Sequence, residues 1–160
     1  MTHRDEANWE GVALVSKDVG TRNKPARWRI AGIQYATEGE AMLAQLLIAM
    51  GIPFTPNVSF EMEFPRRSGT KREFVPDFVF NRQAFIWCGP HGETLIHGIE
   101  AKGAGPTPRS RRPAKNAYSR ARLKIQLLQE QRGIVIKLLT DGEIRRYFEK
   151  GKLPLRPFVP

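Results

Sequence analysis

A chain of 160 residues, 41% of them hydrophobic, has the length of one ordinary domain and enough apolar side chains to close a core. Lysine and arginine number 26 against 16 acids, a net charge of +10, which favours a polyanionic partner, nucleic acid first. The single cysteine, Cys88, excludes an intrachain disulfide; with no long apolar run and a polar, mixed-charge start (MTHRDEANWEG), a membrane partner and a secretory signal are not expected and cytoplasmic placement is.

Residues 1–36 read as a basic N-terminal extension, with a possible strand in GVALVSKDV and a basic run, TRNKPARWR, that could form a DNA-contacting arm. The first strong element follows Thr37. Glu40 lies three residues on, the capping-box spacing, and Leu43, Leu46, Leu47 and Met50 recur at helical intervals until Gly51 and Pro53 end the helix. NVSFEMEF alternates apolar and polar side chains as a half-buried strand. PRRSGTKR is a basic turn, and EFVPDFVF a second strand with Phe74, Phe78 and Phe80 opposite Asp77, so the two strands are expected to pair as a hairpin. NRQAFIWCGPHGE reads as a strand end and turn, and TLIHGIEAKG as a third strand. The Pro- and Arg-rich AGPTPRSRRPAK is a loop. Residues 116–131 are helical, GIVIKLL is a buried strand, TDGE a turn, IRRYF a last strand, and 149–160 a tail. The order from residue 37 predicts an α/β (α+β) fold, a mixed central sheet flanked by helices, with residues 37–148 as its core.

Three charges sit where burial argues against them. Asp77 interrupts FVPDFVF. Glu100 and Lys102 are two apart on one face of the third strand. A charge in a core strand costs several kcal/mol unless it is paired or binds a metal. Two carboxylates about 4 Å apart repel by roughly 4 kcal/mol at an effective dielectric near 20, and a divalent cation between them reverses the sign. Carboxylate donors without a His or Cys cluster suit Mg²⁺ or Mn²⁺ better than Zn²⁺. Glu40 continues the apolar stripe of the first helix toward Leu43 and Leu47, so it too should face the sheet.

Glu40, Pro76-Asp77 and Glu100-Ala101-Lys102, on a helix–strand–strand–strand–helix–strand order, resemble the PD-(D/E)xK, or restriction-endonuclease-like, nuclease superfamily over about residues 37–139. Gly103 and MGIPF look like its small homing and junction-resolving members. The resemblance implies an αβββαβ core and an endodeoxyribonuclease dependent on Mg²⁺ (or Mn²⁺). Asp77 and Glu100 would ligate the metal, with the Ala101 carbonyl as a further ligand. Lys102 would orient or deprotonate the attacking water and stabilise charge on the phosphate, and Glu40 would hold a metal-bound water or a second ion. A homing- or restriction-type enzyme is the first expectation, a four-way (Holliday) junction resolvase the alternative within the fold, and a non-catalytic DNA-binding protein on the same scaffold the alternative of another class. An RNA substrate ranks third. One site cuts one strand, so a homodimer is expected.

Structural explanations stand beside each role. Glu100 and Lys102 could be a solvated pair, or an ion triad with Asp77, and the capping box accounts for Glu40 by itself. Cys88, His91 and His97 match no zinc spacing, and His97 reads as a strand or rim residue. For DNA contact the candidates are Arg66, Arg67, Lys71 and Arg72 at the hairpin tip, Arg109, Arg111, Arg112 and Lys115 in the loop after the Glu100 strand, and Arg120 and Lys124, four apart on the second helix. The sharing of one cation requires the Asp77 and Glu100 carboxylates to lie within about 5 Å.

Overall fold

Trp28–Ile30 (β1) and Ile33–Tyr35 (β2) pair antiparallel across Ala31 and Gly32, whose φ angles of 50° and 80° suit a tight hairpin turn, in a computed structural model that describes residues 3–17, 28–64, 71–103 and 117–160. Glu38–Ala49 forms α1: Thr37 accepts from the Glu40 N–H at 3.2 Å, and Gly51 (φ 69°) follows its end. The strands Phe54–Pro56 (β3), Phe60–Glu63 (β4), Lys71–Phe74 (β5), Phe78–Phe80 (β6), Phe85–Gly89 (β7), Gly92–Ile96 (β8) and Gly98–Lys102 (β9) come next. Ala117–Arg132 (α2), Ile136–Thr140 (β10), Asp141–Lys150 (α3) and Leu155–Pro157 (β11) complete the chain. The class is mixed α+β, and no helix among the described residues is long and apolar enough to cross a membrane.

The central sheet has the order β10-β9-β6-β3: β6 runs antiparallel to both β3 and β9, and β10 is parallel to β9, joined to it through α2. One face carries Phe78, Phe80, Ile99 and Leu139 against Leu43 and Leu47 of α1 and Ile144 of α3. The other carries Val79 and Ile136 against Leu127 and Leu128 of α2 and Phe60, Met62 and Phe74 of the β4–β5 hairpin. Truncating a fully buried aromatic such as Phe78 or Phe80 typically costs about 3–5 kcal/mol, so these two faces hold the sheet in place.

Several expectations give way to tertiary structure. EFVPDFVF is not one strand: it breaks at Val75-Pro76, β5 pairing with β4 and β6 entering the central sheet. Phe74 therefore packs in a different cluster from Phe78 and Phe80. A proline lacks the N–H that a continuous ladder needs, and that is where the chain changes sheets. The third strand divides at His97 into β8, hairpinned to β7, and β9. IRRYF is helical, not a strand. Thr140 and Glu143 close a reciprocal capping box, and Ile144 and Tyr147, three apart, face the core. The tail is partly sheet, since β11 pairs antiparallel with β7.

Within residues 1–36, β1 and β2 supply strand at 28–30 and 33–35, residues 3–17 pack on the body of the fold, and most of the basic run TRNKPARWR lies outside the described residues. Residues 12–17 form no strand. Asn8 N–H bonds the Arg132 carbonyl, and the Arg132 guanidinium returns bonds to the Asn8 and Glu10 carbonyls. Trp9 meets Phe60 and the edge of His97. His97 is fully buried rather than at a rim. Its Nδ1 accepts from the Val135 N–H at 3.0 Å, so Nε2 carries the proton and donates to Asp5 at 2.8 Å. Burial holds the imidazole below its ordinary pKa although Asp5 acts in the opposite sense.

β6 and β9 cross at Gly98, where a Cβ would meet the Phe78 carbonyl oxygen at 2.3 Å and the Ile136 Cδ1 at 2.9 Å. Gly98→Ala should destabilise the protein by about 2–3 kcal/mol, since backbone rather than a flexible side chain blocks the space. Denaturant unfolding checks this; a loss under about 0.5 kcal/mol would show that the strands can separate without cost.

Candidate active site

The pairing of β6 with β9 sets Phe78 opposite Ile99 and Val79 opposite Gly98. One rung further in the same register, Asp77 stands opposite Glu100. Directly opposed residues share a face with Cβ atoms roughly 4.5–5.5 Å apart, and the two carboxyls lie within hydrogen-bonding reach. Asp77 Oδ2 also accepts from the Ala101 N–H at 2.8 Å. In extended chain a residue's N–H and C=O point to the same side, so the Ala101 carbonyl is turned toward that edge too, beyond the start of β6. Glu100 and Lys102 lie on one face of β9, while Ile99 and Ala101 pack into the α1 side.

Glu100 is 5% exposed. Burial raises Asp77 well above the usual carboxylate range, and the hydrogen bond and charge of Glu100 add to this, against the Ala101 N–H and Lys102. Burial raises Glu100 as well, opposed by Lys102 and Lys124. A hydrogen bond between two carboxyls needs a proton on one of them, and burial favours a proton shared by the pair. Glu40 comes to the same strand ends from α1. Burial first and Asp77 second push its pKa up to about 7, against the N–H groups of Ala36 and Thr37 and the charge of Lys102. Its carboxylate accepts from the Ala36 N–H at 3.2 Å, so the capping geometry and the approach to Asp77 are one arrangement.

Across the Asp77–Glu100–Lys102 face, α2 contributes Arg120 and Lys124, and a cleft of about 350 Å³ lies between. A wider groove of about 810 Å³, between α2 and β10, is lined by no acid among the described residues, whose charged groups there are Arg122 and Lys137. The chemistry concentrates in the smaller cleft. Among the described residues no three His, Cys, Asp or Glu side chains cluster closely enough to hold a metal ion. Mg²⁺ is usually held by one or two carboxylates with water making up the rest of its shell. The donor set here, two hard carboxylates that otherwise share a proton and a carbonyl on the same edge, fits that pattern. Glu40 would then act through water, not as a third direct ligand.

Of the residues expected from sequence, Asp77, Glu100, Lys102, Arg120 and Lys124 line this cleft and Glu40 approaches from the opposite face. Lys71 and Arg72 belong to β5 opposite Glu63 and Met62, and their side chains lie outside the description. Arg66, Arg67, Arg109, Arg111, Arg112 and Lys115 lie outside the described residues. Cys88 and His97 do not meet: the thiol contacts the Ile86 carbonyl and His97 is engaged with Asp5. Two neighbours escaped the sequence reading. Glu73, at the mouth of the cleft, is bonded by Lys17 and by Ser59 at 2.7 Å. Tyr35 lies near enough to Glu40 to feel its charge. The alternation of RWRIAGIQY about Ala31-Gly32 was the available signal that a strand delivers Tyr35 to the start of α1. No family model, curated protein or solved structure matches this chain.

Glu40, Asp77 and Glu100 bind protons more tightly in the folded chain than in the unfolded one. The folded state thus loses ground as pH rises. For Glu40 this occurs from the ordinary value of 4.5 up to about 7. With divalent cations chelated, the stability difference between the parent and Glu40→Gln should change across that window, the parent falling more steeply with rising pH. Thermal melts at a series of pH values test it, and a difference independent of pH would contradict it.

Proposed function

We propose that this chain is a metal-dependent endodeoxyribonuclease of the PD-(D/E)xK type. The observation that carries the reading is the contact of the Asp77 and Glu100 carboxyls on adjacent strands, with Lys102 on the same face and Arg120 and Lys124 across the cleft. The fold supports it: α1, β3, β6, β9, α2 and β10, in chain order, supply one helix, three antiparallel strands of a single sheet, a crossover helix and a parallel strand, the αβββαβ order of a restriction-endonuclease-like core. The net charge of +10 supports a DNA partner. Asp77, Glu100 and the Ala101 carbonyl would hold Mg²⁺ or Mn²⁺. When bound, the cation lowers the pKa of water and offsets phosphate charge.

The chain's own groups divide the remaining work. The Lys102 ammonium orients the attacking water and stabilises charge that develops on the phosphate. Arg120 and Lys124 bind non-bridging phosphate oxygens and place the backbone over the carboxyl pair. Glu40, with a pKa near neutrality, is suited to accept a hydrogen bond or proton from water at physiological pH. A homing- or restriction-type activity on duplex DNA by a homodimer is the form proposed, because one such site cuts one strand.

Incubating supercoiled plasmid with the protein and Mg²⁺ should yield nicked and linear DNA, and chelation should stop it. Asp77→Ala should abolish cleavage and Lys102→Ala should slow it by about 10²–10³-fold, both still binding DNA in a gel-shift assay. Variants that cut like the parent would overturn the assignment of the centre. A parent that binds DNA yet cuts neither duplex nor four-way junction with Mg²⁺ or Mn²⁺ would favour the non-catalytic alternative.

A further inference from the structure

The hydroxyl of Tyr35 is a buried side-chain polar atom without a hydrogen-bond partner, and no other described residue with its polar atoms buried shares that condition. Buried polar groups are nearly always partnered, so an orphan requires a reason. Poor packing does not supply one. The residue is 5% exposed, and its ring stacks on Phe78 with centroids 5.9 Å apart and planes 27° from parallel. Phe78 adjoins Asp77 in sequence. On the other side, the next residue, Ala36, gives its N–H to the Glu40 carboxylate. Tyr35 therefore lies beside the site on the α1 face of the sheet, stacked on Phe78 and near Glu40, while Lys102, Arg120 and Lys124 gather on the α2 face. Burial and the charge of Glu40 push its ionisation up to about 12, so near neutrality the phenol keeps its proton.

We propose that Tyr35 is a positioning residue whose hydroxyl donates to a water held by Glu40 when a divalent cation occupies the Asp77–Glu100 pair. The inference rests on the nuclease reading above and adds a residue to it. The hydroxyl bonds no side-chain or backbone group of the described residues, so its bond to the Glu40-held water contributes to cation binding and not to the stability of the fold itself. Groups that orient ligands from behind are worth about 10–100-fold in metal affinity.

Tyr35→Phe removes the hydroxyl alone and separates the two roles. With cations chelated, the variant should melt at or above the parent's temperature. In a Mg²⁺ titration followed by thermal shift, its half-saturating concentration should rise about 10-fold or more. The same displacement should appear in the Mg²⁺ dependence of cleavage, and Tyr35→Phe should add little to Glu40→Gln. A lower melting temperature in chelator with an unchanged Mg²⁺ titration would make the hydroxyl structural and overturn the proposal. A parent that responds to Mg²⁺ and cuts DNA, beside a variant with the same titration, would overturn the Tyr35 role alone. A parent that neither shifts with Mg²⁺ nor cuts DNA would overturn both this inference and the nuclease reading.

Discussion

The candidate site depends on one rung of backbone pairing, the close crossing of β6 and β9 at Gly98. There the Phe78 carbonyl occupies the space a side chain would take, so the two strands cannot shift apart to admit one. Register follows from parity: Phe78 and Ile99 turn together into the α1-side core, and a slip of one residue would drive both out of it. The same parity turns Val79 to the α2 side and brings Asp77 against Glu100. The apolar faces thus hold two acids in contact that would separate in an unconstrained chain.

The electrostatics of that contact explain the rest of the neighbourhood. Asp77, Glu100 and Glu40 are all raised by burial, and each raises another through its charge or shared hydrogen bond. Lys102 is the basic group that opposes all three, with Lys124 opposing Glu100 from α2. These lysines do not offset the burial, since all three carboxyls stay raised. A site of this kind keeps protons, or takes a cation, and either choice relieves the same repulsion.

Helix boundaries were readable where local chemistry is complete in itself. Thr37 and Glu40 supply their own cap, and Gly51 its own left-handed turn, so α1 formed where the spacing placed it. The face shared by Glu100 and Lys102 was readable for the same reason, since strand parity needs no knowledge of neighbours. EFVPDFVF misled because alternation continues across Pro76 although the ladder does not: two sheets each claim one half. IRRYF misled because Ile144, Tyr147 and Phe148 have β-forming character, and TDGE reads as a turn although Thr140, which ends the preceding strand, opens a capping box with Glu143. The burial of His97 had no local signal at all. It depends on Asp5, on the Val135 N–H and on Trp9, all of them distant in sequence.

By itself, then, the sequence determined the charge of the molecule, the capped first helix, the presence of acids in apolar strands and the common face of Glu100 and Lys102, because each is a property of composition or of spacing within a few residues. Only the tertiary structure decided that Asp77 meets Glu100, that Glu40 reaches them from the other face, that Arg120 and Lys124 close the cleft and that Tyr35 is left without a partner. Those are long-range facts. They follow from which strands pair and in which register, and that is set by the packing of two apolar faces at once, a constraint no single segment contains.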